Sequence, residues 1–173
     1  RHIANSGAIL DLPQSYYTMV RPGIMLYGIY PTRETSRSIP LSPVLSLKST
    51  VVFIKEVPAH TGISYGRTYF TSGTTRIATV PLGYGDGYSR RLSNLTQVLI
   101  HGKRYPVVGT ICMDQLMVEI GHEAEIHVGD EVILVGVEGH EAITAWDLAE
   151  KIGTIPYEVL TGITARVPRS YVH

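Results

Sequence analysis

The chain holds 173 residues, enough for one substantial domain and part of a second, and a core of that size needs no disulfide or metal staple. Fifteen basic and fifteen acidic residues cancel without forming a block of like charge, which removes the electrostatic case for nucleic acid, a polyanionic surface or an acidic tail. Cys112 is the only cysteine, so an intrachain disulfide and a multi-thiolate metal site are excluded. No apolar run approaches the roughly 20 residues that span a bilayer, and no secretion signal opens the chain. A small-molecule or protein partner in the cytoplasm, with no metal, is therefore the expectation.

In chain order, Arg1-His2-Ile3-Ala4-Asn5-Ser6-Gly7-Ala8 and Arg21-Pro22-Gly23-Ile24-Met25-Leu26-Tyr27-Gly28 read as strands with polar, glycine-rich ends. They suit the closing strands of an α/β barrel, where serine hydroxyls and glycine amides at strand ends receive a phosphate. Between them, Asp11-Leu12-Pro13 has the form of an N-cap followed by a helix-compatible proline, and residues 14–20 supply about two turns. A barrel needs earlier strands, and no initiator Met precedes these, so the chain reads as an enzyme joined partway through. Residues 30–43 carry three prolines with scattered Ser and Thr and read as a connection. The expected domains are thus 1–43, a barrel remnant with its connection, and 44–173.

From residue 44 onward the apolar residues come in short β-branched runs, at 44–57, 76–82, 98–100, 105–112, 116–120 and 131–137. Turn residues separate them, which predicts a mainly β fold: an antiparallel, barrel-like domain following the strand-helix-strand remnant. Thr144-Ala145-Trp146-Asp147 matches a capping box opening a helix that ends near Gly153, and Pro156-Tyr157-Glu158 starts another short one.

Glycines and tyrosines cluster in Ile63-Ser64-Tyr65-Gly66-Arg67-Thr68-Tyr69 and in Gly83-Tyr84-Gly85-Asp86-Gly87-Tyr88. Glycine lets backbone approach a ligand closely and tyrosine offers an apolar ring with a polar tip, so such loops line sites. Taken singly, they equally suit tight turns with packing aromatics. Taken together with the two opening segments, Gly109-Thr110-Ile111-Cys112-Met113-Asp114-Gln115 and Pro156-Tyr157-Glu158, these motifs resemble in content and order the bacterial alanine racemase family. Its members use pyridoxal phosphate to interconvert L- and D-alanine, which supplies D-alanine for cell-wall peptidoglycan.

The resemblance implies an N-terminal α/β barrel holding the cofactor, a C-terminal β-domain, and a homodimer whose active sites form where one subunit's β-domain meets its partner's barrel. Residue by residue, it implies that Tyr65 is one of two acid/base groups and that Arg21 faces the pyridine nitrogen with His2 orienting it. Ser6, Gly23, Ile24 and Tyr157 would hold the phosphate. The Met113 amide would meet the substrate carboxylate, beside Asp114, and Tyr84 would line the entry. The family's cofactor-binding lysine is not matched: Lys48, Lys55, Lys103 and Lys151 lie in other contexts. The chain alone is therefore expected to be inactive and not to bind the cofactor covalently. Two alternatives stay open: a non-enzymatic interaction module built on the β-domain, and a pyridoxal-phosphate decarboxylase of the same two-domain plan.

Overall fold

The computed structural model describes residues 1–172, which divide into two compact units, 1–45 and 46–172. In the first unit the expected strand-helix-strand is replaced by helix α1 (Ser6–Asp11) and two 3-10 turns, Pro13–Ser15 and Ile24–Tyr27. The reason is local at the first segment: the Asn5 side chain accepts the Ala8 amide at 3.0 Å, an N-cap that bends the chain into α1 where a strand end was expected. Residues 1–4 and 18–21 still run side by side, through Thr18 N–H to the Arg1 carbonyl and Arg21 N–H to the Ala4 carbonyl. Two bonds at one offset do not make a ladder, and no strand is formed among the described residues of this unit.

Among the described residues the second unit carries ten strands: β1 (Leu47–Thr50), β2 (Phe53–Val57), β3 (Gly62–Ile63), β4 (Tyr69–Phe70), β5 (Thr75–Val80), β6 (Gln97–Ile100), β7 (Lys103–Pro106), β8 (Leu116–Glu119), β9 (Glu131–Glu138) and β10 (Glu141–Ile143). All the pairings are antiparallel. They form three separate sheets: β1-β9-β6-β7 with β10 also on β9, then β2-β5-β8, then the hairpin β3-β4. The expectation of a barrel-like domain is thus corrected, since the fold is mixed α/β with open sheets. Closure needs strands long enough to tilt and stagger continuously, whereas these ladders are cut short. Val51 and Val52 hand the chain from one sheet to the next by donating to Asp130 and Thr79, which splits the run 44–57 into β1 and β2. Left-handed Gly109 ends the run 105–112 soon after β7.

Thr144 caps helix α2 (Ala145–Ile152) in a reciprocal box with Asp147, and Gly153 closes it in the left-handed region. Helix α3 (Pro156–Gly162) packs against α2, which also meets the 3-10 turn Arg90–Leu92. The core is aliphatic: Val98, Leu99 and Ile100 of β6, Leu116 and Val118 of β8, Val132 and Leu134 of β9, Ile111, Ile126 and Leu148 are all buried. Burying each such side chain stabilises the fold by about 1.5–3 kcal/mol. No helix among the described residues is long and apolar enough to cross a membrane.

Candidate functional site

The core leaves three loops at one edge of the second unit, and their backbones interlock. Tyr65 opens the 3-10 turn Tyr65–Arg67 between β3 and β4, where Ser64, Gly66 and Arg67 all have positive φ. That turn lies tight against the segment after β7: a Cβ on Gly109 would come within 2.7 Å of the Ile63 carbonyl oxygen. Asn94 spans the same two pieces, its Oδ1 accepting the Gly109 amide and its Nδ2 donating to Thr68 Oγ1.

The second loop, Gly83 to Gly87, lies along the third like a short ladder. The Tyr84 amide donates to the Cys112 carbonyl at 3.0 Å and the Gly85 amide to the Met113 carbonyl at 2.9 Å. Gly83 is obligatory here, because a Cβ would collide with the Cys112 backbone. Asp86 closes the loop by accepting the Gly83 amide at 2.9 Å.

Together these loops wall an open cleft of about 650 Å³, lined by Tyr65, Tyr84, Arg90, Cys112, Met113 and Asp114 among others. Tyr65 is 76% exposed and Met113 50%, so both present their side chains to whatever enters. Arg90 adds a guanidinium to the wall, suited to an anionic ligand. No sequence motif singles out Arg90, and Cys112 enters the sequence reading without a role at a site. Arg90 lies two residues beyond the Gly-Tyr loop, and Cys112 stands next to Met113, so proximity along the chain was the available signal.

Tyr157, the second residue of α3, does not line this cleft, and partial burial pushes its phenol upward. Tyr69 donates to Glu119 at 2.5 Å, and that bond, with burial and the carboxylate charge, pushes its phenol up to about 12. Tyr88 is enclosed, and burial raises it to about 12 as well; Thr96 tempers that rise but stands outside hydrogen-bond geometry.

The first unit holds Ser6, Arg21, Gly23, Ile24 and His2. Ser6 is buried, and its oxygen accepts the Gly23 amide at 2.9 Å and, more weakly, the Met25 amide at 3.4 Å. The Gly23 amide, one of the expected phosphate donors, is thus engaged by Ser6. A Cβ on Gly23 would lie 3.8 Å from Ser6 Oγ, in the hollow beside the hydroxyl. Arg21 donates from its guanidinium to the Ile3 carbonyl, next to the exposed His2. Lys48, one of the four lysines, is paired with Glu131 at 2.8 Å.

Comparison with known proteins places this architecture. The family described as alanine racemase, C-terminal domain, matches residues 44–171, and alanine racemase, N-terminal domain, matches residues 1–31. The alanine racemase of Carboxydothermus hydrogenoformans is 54% identical, covering 99% of this chain and 47% of the relative. Among solved structures, the alanine racemase of Bacillus anthracis with bound L-Ala-P aligns with a TM-score of 0.94 at 43% identity, over 99% of this chain and 44% of that one. The Clostridium difficile 630 alanine racemase in complex with cycloserine aligns at 0.89 and 50% identity, over 96% of this chain and 44% of that one. The chain spans about half the length of the relatives it matches, and it belongs to the alanine racemase family.

Proposed function

We propose that these residues supply part of the reaction centre of a pyridoxal-phosphate-dependent racemase that interconverts L- and D-alanine, with Tyr65 as the acid/base group for one face of the α-carbon. The observation that carries this reading is the cleft that gathers Tyr65, Tyr84 and Met113 from three separate loops. Residues 1–43 form the end of the cofactor-binding domain and 44–173 the substrate-facing one. The reaction would take place in the cytoplasm, and its product, D-alanine, would supply cell-wall peptidoglycan.

The residues of the first unit fit a phosphate. Ser6 already accepts two amides through its oxygen, so its own O–H proton points elsewhere and is available to a phosphate oxygen. Gly23 leaves open the hollow a side chain would occupy. Ser6 and Ile24 of this unit would hold the phosphate, and Arg21, oriented with the help of His2, would face the ring nitrogen. When bound, pyridoxal phosphate supplies the electron sink that makes the α-proton of alanine removable. Arg21 would hydrogen-bond the ring nitrogen without surrendering its proton, which keeps that sink modest and favours prompt reprotonation.

Tyr65 would take or return the α-proton through its hydroxyl. Arg90, a permanent cation of this chain, lines the same cleft as Tyr65. The Met113 amide would fix the substrate carboxylate, and Tyr84 would narrow the entry to favour small side chains. The opposite face requires an amine that none of the four lysines of this chain supplies, so the chain alone forms no D-alanine and binds no cofactor covalently. The exposed Tyr65 and Met113 would complete a site on a second subunit of a homodimer.

The test is Tyr65→Phe in the full-length dimeric enzyme, reading deuterium incorporation at the α-carbon of L- and D-alanine. Racemisation should collapse while exchange persists from only one enantiomer. Undiminished racemisation in both directions would sink the reading.

A further inference from the structure

We infer that Arg166 is a positioning residue that locks the gate loop to the carboxylate-binding turn. It lies in the segment after α3, outside every motif that carried the family resemblance. Its guanidinium reaches two carboxylates on the two loops: Nε lies 3.2 Å from Asp86 Oδ1 in the Tyr84 loop, and Nη2 donates to Asp114 Oδ1, next to Met113. Asp86 is largely buried, and its other oxygen holds the Gly83 amide, so one carboxylate serves both the loop's own closure and the clip.

The surrounding backbone is arranged for this contact. The Thr164 amide donates to the Asp86 carbonyl and Thr164 Oγ1 to the Gly85 carbonyl, both at 3.0 Å, which brings the chain alongside the loop two residues before Arg166. Gly85 has no side chain where a Cβ would strike the guanidinium. Beneath the clip, the Tyr84 and Gly85 amides bond to the Cys112 and Met113 carbonyls. Arg166 thus ties together the two loops of a backbone ladder that carries Tyr84 and Met113.

Half of the Arg166 side chain is exposed. Ion pairs of that kind contribute little to global stability, so the contact acts mainly on geometry. A planar fork is suited to holding two acceptors at fixed separation, and an ammonium is not. Loss of the clip lets the Met113 turn and the Tyr84 loop drift apart, which weakens capture of the substrate carboxylate more than the proton transfer at Tyr65.

This inference rests on the proposed alanine site. The experiment uses the full-length enzyme with Arg166→Ala and Arg166→Lys, measuring KM and kcat for both enantiomers and amide exchange across the loops. KM should rise about tenfold for Arg166→Ala with kcat changed less than about threefold, and Arg166→Lys should fall between. Exchange at Tyr84 and Gly85 should quicken while β5 and β8 stay protected. An unchanged KM, or a fall in kcat that accompanies lost protection across the core, overturns the role. Tyr65→Phe separates the two ideas: if it silences the enzyme while Arg166→Ala leaves KM untouched, only the clip is wrong, and if it has no effect, the site reading itself fails.

Discussion

The Ser64 hydroxyl donates to the Thr110 carbonyl at 2.6 Å, tying the turn that carries Tyr65 to the segment that leads to Met113. Ser64 does so with φ 61 and ψ −173, a conformation nearly reserved for glycine. Two effects oppose each other there. Ser64→Ala keeps the strain and loses the bond, costing about 1 kcal/mol. Ser64→Gly loses the same bond but releases about 1–3 kcal/mol of strain, so it should unfold in urea at least as late as the parent. In the full-length enzyme both should lose activity, the glycine variant more, because its turn is freer. If Ser64→Gly proves the less stable of the pair, the strain is not real.

A second contrast uses two glycines of the same unit. At Gly83 a Cβ would meet fixed backbone of Cys112, and neither chain can move without breaking the Tyr84 and Gly85 bonds. Gly83→Ala should therefore cost about 1–3 kcal/mol through overpacking and disorganise the cleft. At Gly73 a Cβ meets nothing within 4 Å and φ is not left-handed. Gly73→Ala should be neutral or stabilising by up to about 1 kcal/mol, through the unfolded chain. Urea unfolding of the two variants checks the order, and equal stabilities would contradict the packing.

What could be read in the sequence was what neighbours along the chain decide. Thr144, Asp147 and Gly153 bound α2 by their own hydrogen bonds, and the β-branched run at 131–137 lies within β9. The first unit departs from the strand-helix-strand expectation because the Asn5 side chain caps a helix inside the segment 1–8 that reads as a strand. Sheet closure was misread because it depends on which strands meet, and pairings such as Leu47 with Val135 join residues far apart in sequence. At the cleft, the Gly-Tyr motifs contain Tyr65 and Tyr84, two residues of its wall. Arg166 was invisible, since its meaning lies in Asp86 and Asp114, which only the folded chain brings within its reach.

Tyr69 and Tyr88 give a pH prediction. Both phenols are held up at about 12, Tyr69 chiefly by its bond to Glu119 and Tyr88 by burial. An unfolded tyrosine ionises near 10, so the folded state retains a proton that the unfolded state releases. The stability these groups contribute is complete below about pH 10 and is lost as pH rises through about 12. Absorbance titration should find two late phenols, and Tyr69→Phe and Tyr88→Phe should each remove one. Glu119→Gln should bring only the Tyr69 transition down. If that substitution leaves both late transitions in place, the carboxylate is not the cause.

Ser6 offers a test of the phosphate cradle that does not depend on turnover. Its hydroxyl is buried and serves the Gly23 and Met25 amides, while α1 is capped independently by Asn5. Ser6→Ala should therefore leave α1 intact, strand two amides at a cost of about 1–3 kcal/mol, and remove a hydroxyl donor from any phosphate held there. Titrating the full-length apoprotein with pyridoxal phosphate should give a dissociation constant raised about tenfold, which corresponds to about 1.4 kcal/mol. Ser6→Thr keeps the hydroxyl and should recover most of that loss if the added methyl finds room in the hollow beside Gly23. An affinity unchanged in Ser6→Ala would mean that this hydroxyl only braces the turn, and that the phosphate is held by other groups.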